Sequence, residues 1–195
     1  MRLFVAIDID DDIRGRITRY RDGLREFAPE ARWVRPESLH VTLKFIGETS
    51  EAEAEKINLI LGSINSAAIE MNFRGCGFFP ERRAPRVFWV AVETDSKLTS
   101  LAKMIDEGLS SLSVPKEEHA FNPHLTLARS GPGSGSPRRQ EGDRPNRSFQ
   151  RLQEKLASQT APEFGAMTAC EFFLYQSQLV AGGSKYTKLA RFELR

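Results

Sequence analysis

The sequence predicts a globular domain that mixes α-helices with β-strands, and three observations support this class. The chain has 195 residues, 40% hydrophobic and 28% charged, which is the size and composition of one globular domain or of two small lobes. Short runs rich in Val, Ile and Phe alternate with amphipathic stretches. Near the C-terminus, two strand-like runs flank the turn signal Gly182-Gly183, which predicts a hairpin.

The first elements are a strand and a helix. Residues 2–8 form an apolar run that ends in acidic residues able to cap a following helix. Apolar residues then recur at spacings of three and four, and Pro29 follows the predicted end of this helix. The recurring positions are Ile9, Ile13, Ile17, Tyr20, Leu24 and Phe27.

The middle of the chain repeats strand and helix signals. We expect strands over residues 38–46, 69–79 and 86–93. Amphipathic helices are expected over residues 50–65 and 95–112. Because no Gly-rich fingerprint stands at a strand-to-helix turn, the pattern does not indicate a dinucleotide-binding fold.

The composition changes abruptly over residues 130–147, which include four Gly, three Pro, three Ser and four Arg. Such a composition predicts a flexible, solvated loop. An arm whose arginines contact a polyanion is the alternative. Beyond the loop we expect a helix over residues 148–160 and the two hairpin strands over residues 166–176 and 185–194.

Cysteine usage, hydropathy and charge limit the possible location and partners. Cys76 and Cys170 are far apart in the sequence, which favours neither a disulfide framework nor a zinc cluster. Asp8 ends the first apolar run well short of a signal-peptide core, and residues 87–92 have the length of a strand rather than of a membrane span. A formal net charge of +2 excludes a general polycation. We therefore expect a cytoplasmic protein without membrane contact.

The most informative segment is residues 38–46, which read S-L-H-V-T-L-K-F-I. Successive side chains of a strand point to opposite faces, so His40 and Thr42 share one face. Strict alternation adds Lys44 to that face, where a lysine is usually solvated, and places Phe45 on the opposite, apolar face.

A second copy of this triplet follows as F-N-P-H-L-T-L-A-R over residues 121–129, where His124 and Thr126 share a face. Strict alternation turns Arg129 away from His124, unless the strand ends or bulges before it. The two triplets use two of the three histidines in the chain, which argues against coincidence. The third, His119, is expected at the surface.

Two imidazoles that meet across a cleft can supply a general base and a general acid together, because their ordinary pKa lies near neutrality. An in-line displacement at phosphorus uses such a pair, with hydroxyls and a cation holding the non-bridging oxygens. The sequence contains neither an H-E-x-x-H motif nor a carboxylate cluster spaced for two metal ions, so we expect no metal site.

These motifs give the chain its resemblance to a known family. It resembles the two-histidine phosphoesterase superfamily, and within it the RNA 2′,3′-cyclic phosphodiesterase family, also called the 2′-5′ RNA ligase family. The resemblance covers nearly the whole chain through RLFVAI at the start, WVRPESLHVTLKFIG from Trp33, RVFWVAV from Arg86, FNPHLTLAR from Phe121, and LYQSQL and YTKL near the end.

The resemblance implies an α+β fold in which two duplicated lobes, each an antiparallel sheet flanked by helices, surround a central cleft within one domain, residues 1–195. It also implies hydrolysis of RNA 2′,3′-cyclic phosphate ends to 2′-phosphates. In that reaction His40 is the proton donor to the leaving 3′ oxygen and His124 the proton acceptor from water. Thr42 and Thr126 belong to the same motifs, and Arg129 matches the family's cation after the second motif.

We thus expect a monomeric enzyme that uses neither a metal nor a cofactor and acts on RNA. Ligation through a 2′-5′ bond is the reverse of the same chemistry. Two alternatives stay open: a cyclic phosphodiesterase that acts on a small nucleotide, and a non-catalytic RNA-binding module. Intact histidines in both motifs argue against the second alternative.

Overall fold

A computed structural model shows one antiparallel sheet with helices packed against it, and it describes residues 1–80, 84–112, 114–131, 148–180 and 183–195. Within these residues the chain forms, in order, β1 (Arg2–Asp8), α1 (Asp11–Leu24), β2 (Arg32–Trp33), β3 (His40–Glu48), α2 (Glu51–Gly62), β4 (Ile69–Phe79), β5 (Val87–Thr94), α3 (Ser96–Ser110), β6 (His124–Arg129), α4 (Gln150–Ala157), β7 (Glu163–Ala169), β8 (Glu171–Val180) and β9 (Gly183–Glu193). The mixed class predicted from the sequence is confirmed.

The strand order is β7-β4-β5-β6-β3-β1-β8-β9, and β2 pairs with β6 outside this path. Every described strand pair is antiparallel. Strands β3 and β6 meet at the centre through a single registered pair, Val41 with Leu125. The sheet therefore consists of two four-stranded halves joined by a narrow seam, which agrees with the expected two lobes.

One face of the sheet packs against the helices and forms the core. The predicted periodicity of α1 is confirmed, because Ile13, Ile17 and Leu24 are buried. On β1, Val5 and Ile7 join this core, whereas Phe4 and Ala6 face the other side of the sheet.

The C-terminal hairpin is also confirmed, since β8 pairs with β9 along its length, but its predicted first strand over residues 166–176 is divided between β7 and β8. The predicted loop over residues 130–147 lies outside the described residues except for its first two positions. Its interpretation as a flexible loop or an RNA-contacting arm stays a prediction. Among the described helices, none is both long enough and apolar enough to span a membrane.

The alternation predicted for residues 38–46 is wrong beyond Leu43. Thr42 pairs with Ala6 and Lys44 with the adjacent Val5, so Leu43 is an extra residue that bulges from the ladder. After a one-residue bulge the remaining side chains change faces. Lys44 is consequently buried on the core side.

Lys44 is a buried ion-pair partner rather than a solvated lysine, with 2% of its surface exposed. Its Nζ donates hydrogen bonds to Asp106 of α3 at 2.6 Å, to Glu117 at 3.1 Å and to the carbonyl oxygen of Pro115 at 2.6 Å. These contacts connect β3 with α3 and with the segment that leads into β6.

We expect the substitution Lys44→Ala to lower the free energy of unfolding by about 2–3 kcal/mol, because it leaves the mostly buried Asp106 carboxylate without its cation. Urea denaturation measures this change. Lys97→Ala is the matched control, since Lys97 and its partner Asp95 are half-exposed and their pairing adds little stability. Equal stability of the Lys44→Ala and wild-type proteins would contradict the role given to Lys44.

Candidate active site

The central seam brings the four motif side chains together on one face of the sheet. Val41 and Leu125 are fully buried on the core side, so their neighbours in each strand point to the opposite face. Because β3 and β6 are antiparallel, the residues flanking this pair also face each other, which places His40 beside Thr126 and Thr42 beside His124. A square with approximate twofold symmetry results, with each histidine next to the threonine of the other half.

Both imidazoles are oriented by the backbone in the same way. Nδ1 of His40 lies 2.8 Å from the carbonyl oxygen of Ser38, and Nδ1 of His124 lies 2.7 Å from that of Asn122. A carbonyl oxygen only accepts, so Nδ1 carries the hydrogen in each ring. Nε2 is thereby left as the basic nitrogen in both rings.

Aromatic rings form the wall around His40. Phe4 lies 4.9 Å from it between ring centroids, Tyr186 lies 5.3 Å away edge-on, and Tyr175 lies 6.2 Å away. Phe4 and Tyr175 stack on each other at 5.0 Å. This wall restricts the ring and removes water from one side of it.

The second half builds a corresponding wall around His124. Phe79 lies 5.2 Å from the imidazole edge-on, and Trp89 lies 6.3 Å away. A side chain at Gly77 would collide with the Trp89 ring, since a Cβ there would lie 2.5 Å from Cζ2. The absence of a side chain at Gly77 thus lets the indole lie flat across the sheet.

Burial dominates the electrostatics of the two histidines. It lowers the pKa of His40 to about 4, and it also lowers the pKa of His124. The hydrogen bonds to the carbonyl oxygens oppose this, whereas the charge of Arg129 lowers both pKa values further. In the unliganded protein, His40 is therefore neutral at pH 7.

Arg129 returns to the cleft face through a bulge, which was one of the two possibilities left open by the sequence. Thr126 pairs with Trp89 and Ala128 with the adjacent Phe88, so Leu127 is the extra residue. Arg129 therefore lies on the same side as His124 and Thr126. Burial lowers its pKa from the usual value, and no carboxylate within the described part of the chain pairs with its guanidinium.

The same bulge occurs after H-x-T-L in both motifs, so Phe45 in the first half corresponds to Arg129 in the second. Phe45 is 57% exposed and lies on the cleft face, 6.2 Å from Phe4, which corrects its predicted place on the apolar face. Alternation alone could not reveal this position. The one signal available in the sequence was the equal spacing: Phe45 follows His40 by the same number of residues as Arg129 follows His124.

A second position missed from the sequence is Asp8, which pairs with His40 across β1 and β3. Only the strand register reveals this neighbour. His119 is exposed, as expected. Within the described residues, no group of three or more His, Cys, Asp or Glu side chains is arranged to hold a metal ion.

Two consecutive stretches of the chain match the family model described as LigT like Phosphoesterase: residues 7–89, which include His40, and residues 90–186, which include His124. The chain belongs to the LigT-like phosphoesterase family. Each match contains one of the two H-x-T motifs, which agrees with the expected duplication. Family membership also makes this chain an enzyme rather than the non-catalytic binding module considered above.

This phosphoesterase is 33% identical over 195 residues to the RNA 2′,3′-cyclic phosphodiesterase of Archaeoglobus fulgidus, an alignment that covers 99% of this chain and 100% of the relative. It is 30% identical over 197 residues to the protein of the same name from Methanothermobacter thermautotrophicus, covering 100% and 99%.

Solved structures share the fold of this phosphoesterase. A crystal structure of a Thermus thermophilus protein superposes with a TM-score of 0.77 at 29% identity, covering 100% of this chain and 98% of the other. The crystal structure of Escherichia coli LigT complexed with 3′-AMP gives a TM-score of 0.76 at 27% identity, with 99% and 97% covered.

We expect inorganic phosphate to raise the pKa of His40 above about 4, because a bound anion beside the ring stabilises the imidazolium form. Titration of the imidazole resonances by NMR measures this value with and without phosphate. Sodium chloride at equal ionic strength is the control for salt. An unchanged His40 titration at saturating phosphate would contradict the prediction.

Proposed function

We propose that this phosphoesterase hydrolyses 2′,3′-cyclic phosphate ends of RNA to 2′-phosphomonoesters, without a metal or a cofactor. The observation that carries the proposal is the pair of equivalently oriented imidazoles, His40 and His124, beside the guanidinium of Arg129. The names of the two archaeal relatives support the cyclic RNA end as the substrate.

In the proposed reaction the two histidines move protons in opposite directions. Nε2 of His124 accepts a proton from water, whose oxygen attacks phosphorus. The bond between phosphorus and the 3′ oxygen breaks, and the leaving oxygen takes a proton from Nε2 of His40. Each transfer contributes a rate factor of about 10²–10⁴. The product is a 2′-phosphomonoester with a free 3′-hydroxyl.

The charge that develops on the non-bridging oxygens requires hydrogen-bond donors on the cleft face. Thr42 and Thr126 offer hydroxyls next to the two imidazoles, and Arg129 offers a guanidinium fork that fits a phosphate. Since no carboxylate of the described residues pairs with this guanidinium, it does not have to break such an ion pair before it binds the substrate.

His40 must carry a proton to act as the donor, although it is neutral in the unliganded protein at pH 7. The cyclic phosphate is itself an anion, and its arrival beside the ring favours the imidazolium form. Substrate binding and proton uptake are therefore coupled in this proposal. His124, which accepts a proton from water, needs no such change.

The same proposal includes the limits of the domain, the oligomeric state, the cellular location and the reverse reaction. Residues 1–195 act as one unit, because each half supplies one histidine and one threonine. We propose that the enzyme is a monomer of the cytoplasm. The reverse reaction, in which a 5′-hydroxyl replaces water, would join RNA ends through a 2′-5′ bond with the same proton transfers.

A small cyclic nucleotide is the second candidate substrate. Escherichia coli LigT has been crystallised with 3′-AMP, and the exposed ring of Phe45 in this chain offers a stacking surface for one base. Comparing kcat/KM for an oligonucleotide and for a mononucleoside 2′,3′-cyclic phosphate separates the two candidates. A higher value for the mononucleotide would overturn the assignment to RNA.

We expect His40→Ala and His124→Ala each to lower kcat at least about 100-fold on an RNA oligonucleotide with a 2′,3′-cyclic phosphate end. Product formation in excess EDTA measures hydrolysis without a free metal ion. His119→Ala is the matched control and should leave the rate unchanged, because His119 is exposed and outside the site. Full activity of either active-site variant would contradict the paired-histidine mechanism, and loss of wild-type activity in EDTA would contradict metal independence.

Arg129→Met should weaken binding of the cyclic phosphate end and lower kcat/KM about 10–100-fold, since a charge-assisted contact to phosphate contributes about 1.5–3 kcal/mol. Arg19→Met, on the exposed face of α1, removes the same charge away from the cleft and is the control. Steady-state kinetics at several salt concentrations provide the measurement. Equal kcat/KM for the two variants would rule out the phosphate contact.

A further inference from the structure

The two histidines differ in the residue that lies across from each in the neighbouring strand. His40 pairs with Asp8 of β1, whereas His124 pairs with Ala91 of β5. Directly paired residues of antiparallel strands point to the same face, with Cβ atoms about 4.5–5.5 Å apart. One imidazole therefore has a carboxylate as its immediate neighbour, and the other has a methyl group.

We propose that Asp8 is a positioning residue that makes His40, rather than His124, the proton donor. This inference rests on the proposed function and supplies what the sequence motifs do not, because H-x-T is the same in both halves. The physical basis is the negative charge of Asp8, which stabilises an imidazolium at His40, whereas the equivalent position beside His124 is the uncharged Ala91.

Two cations hold the Asp8 carboxylate in place. Oδ1 accepts a hydrogen bond from Nη2 of Arg14 at 2.6 Å, and Oδ2 lies 2.6 Å from Nζ of Lys188. The backbone N–H of Ile9 also donates to Oδ1 at 2.9 Å. Burial alone would raise the pKa of Asp8, but the hydrogen bonds from Lys188 and Arg14 outweigh it and hold that pKa below its usual value. Asp8 is consequently an anion throughout the neutral range.

Arg14 also connects this carboxylate to the carbonyl that orients His40. Its Nη1 donates to the carbonyl oxygens of Pro36 at 2.7 Å and of Leu39 at 3.3 Å, which lie on either side of Ser38. The carbonyl oxygen of Ser38 is the acceptor of His40 Nδ1. The position of the ring and the position of the negative charge beside it therefore depend on the same guanidinium.

The charged and titratable groups around the two imidazoles show the asymmetry. His40 is faced by Asp8 from β1, Arg129 and His124 from β6, Tyr175 from β8 and Tyr186 from β9. Asp8 raises the pKa of His40, while Arg129 and His124 lower it. For His124 the charge of Arg129 acts without any opposing carboxylate among the described residues. A phosphate anion that offsets Arg129 therefore adds to the negative charge of Asp8 at His40, whereas at His124 it has no carboxylate beside it among the described residues.

Two substitutions shift the field at His40 in opposite directions. Asp8→Asn removes the negative charge and keeps an oxygen that can accept from Arg14, so His40 should titrate at lower pH in the presence of phosphate. Lys188→Met removes a cation from the same carboxylate, so His40 should titrate at higher pH. NMR titration of both imidazoles measures these changes. A merely structural role for Asp8 would move the two variants in the same direction, or not at all, and would overturn the proposal.

Kinetics with a leaving group that needs no proton test the role of donor directly. The probes are a 2′,3′-cyclic phosphate and its analogue with sulfur in place of the leaving 3′ oxygen, since a thiolate leaves without general acid catalysis. At pH 7, Asp8→Asn should lower kcat/KM about tenfold on the oxygen substrate, because tenfold less His40 is protonated for each pKa unit lost. On the sulfur analogue the change should stay within about twofold.

The possible outcomes separate this inference from the proposed function. Equal losses on both substrates in Asp8→Asn would show that Asp8 does not act through the proton donor and would overturn the inference. A loss of activity that is confined to the oxygen substrate in His124→Ala, and not in His40→Ala, would assign the donor role to His124. This outcome would also overturn the inference. If the wild-type protein does not hydrolyse the oxygen substrate, the proposed function itself fails, and if hydrolysis needs neither histidine, the paired-histidine mechanism fails, whatever the titration of His40 shows.

Discussion

The pairing of Val41 with Leu125 is the contact on which the arrangement of the cleft depends. It is the single registered pair between β3 and β6, and it joins two halves that are otherwise complete four-stranded units. His40 and Thr42 flank Val41, and His124 and Thr126 flank Leu125. The formation of this one pair therefore brings the two imidazoles and the two threonines together. The first half contributes His40 and Thr42, whereas the second contributes His124, Thr126 and Arg129. The seam therefore converts a duplicated sequence motif into one composite cleft.

Burial gives this cleft its chemical character. The aromatic walls around His40 and His124 disfavour charge on the imidazoles, and Arg129 has no carboxylate partner among the described residues. Both features are unfavourable for the empty protein, and an anion relieves both. A site of this kind is organised before the ligand arrives, so that little reorganisation is needed during the reaction. The empty cleft is therefore less stable than one with paired charges, and binding of a phosphate recovers that free energy.

Much of this architecture was predictable from the sequence, and the failures have a common cause. The periodicity of α1, the strand over β1 and the placement of His40 with Thr42 on one face followed from spacings within single elements. The error at Lys44 came from assuming a period of two through a segment with one extra residue. Asp8 was missed because its meeting with His40 depends on the register between strands, which no spacing within one element encodes.

The paired bulges at Leu43 and Leu127 have a consequence for how such a protein tolerates change. A substitution at either position alters packing at one point, whereas loss of one residue there restores strict alternation for the rest of the strand. In β6 that deletion would leave Ala128 opposite Phe88 and Arg129 on the cleft face, and in β3 it would leave Lys44 opposite Val5 and Phe45 on the cleft face. Loss of the bulged leucine should thus be tolerated better than gain of a residue beside it, because an insertion would need a second bulge to keep the following side chains on their faces. Each of these motifs can therefore become one residue shorter without moving Phe45 or Arg129 off the cleft.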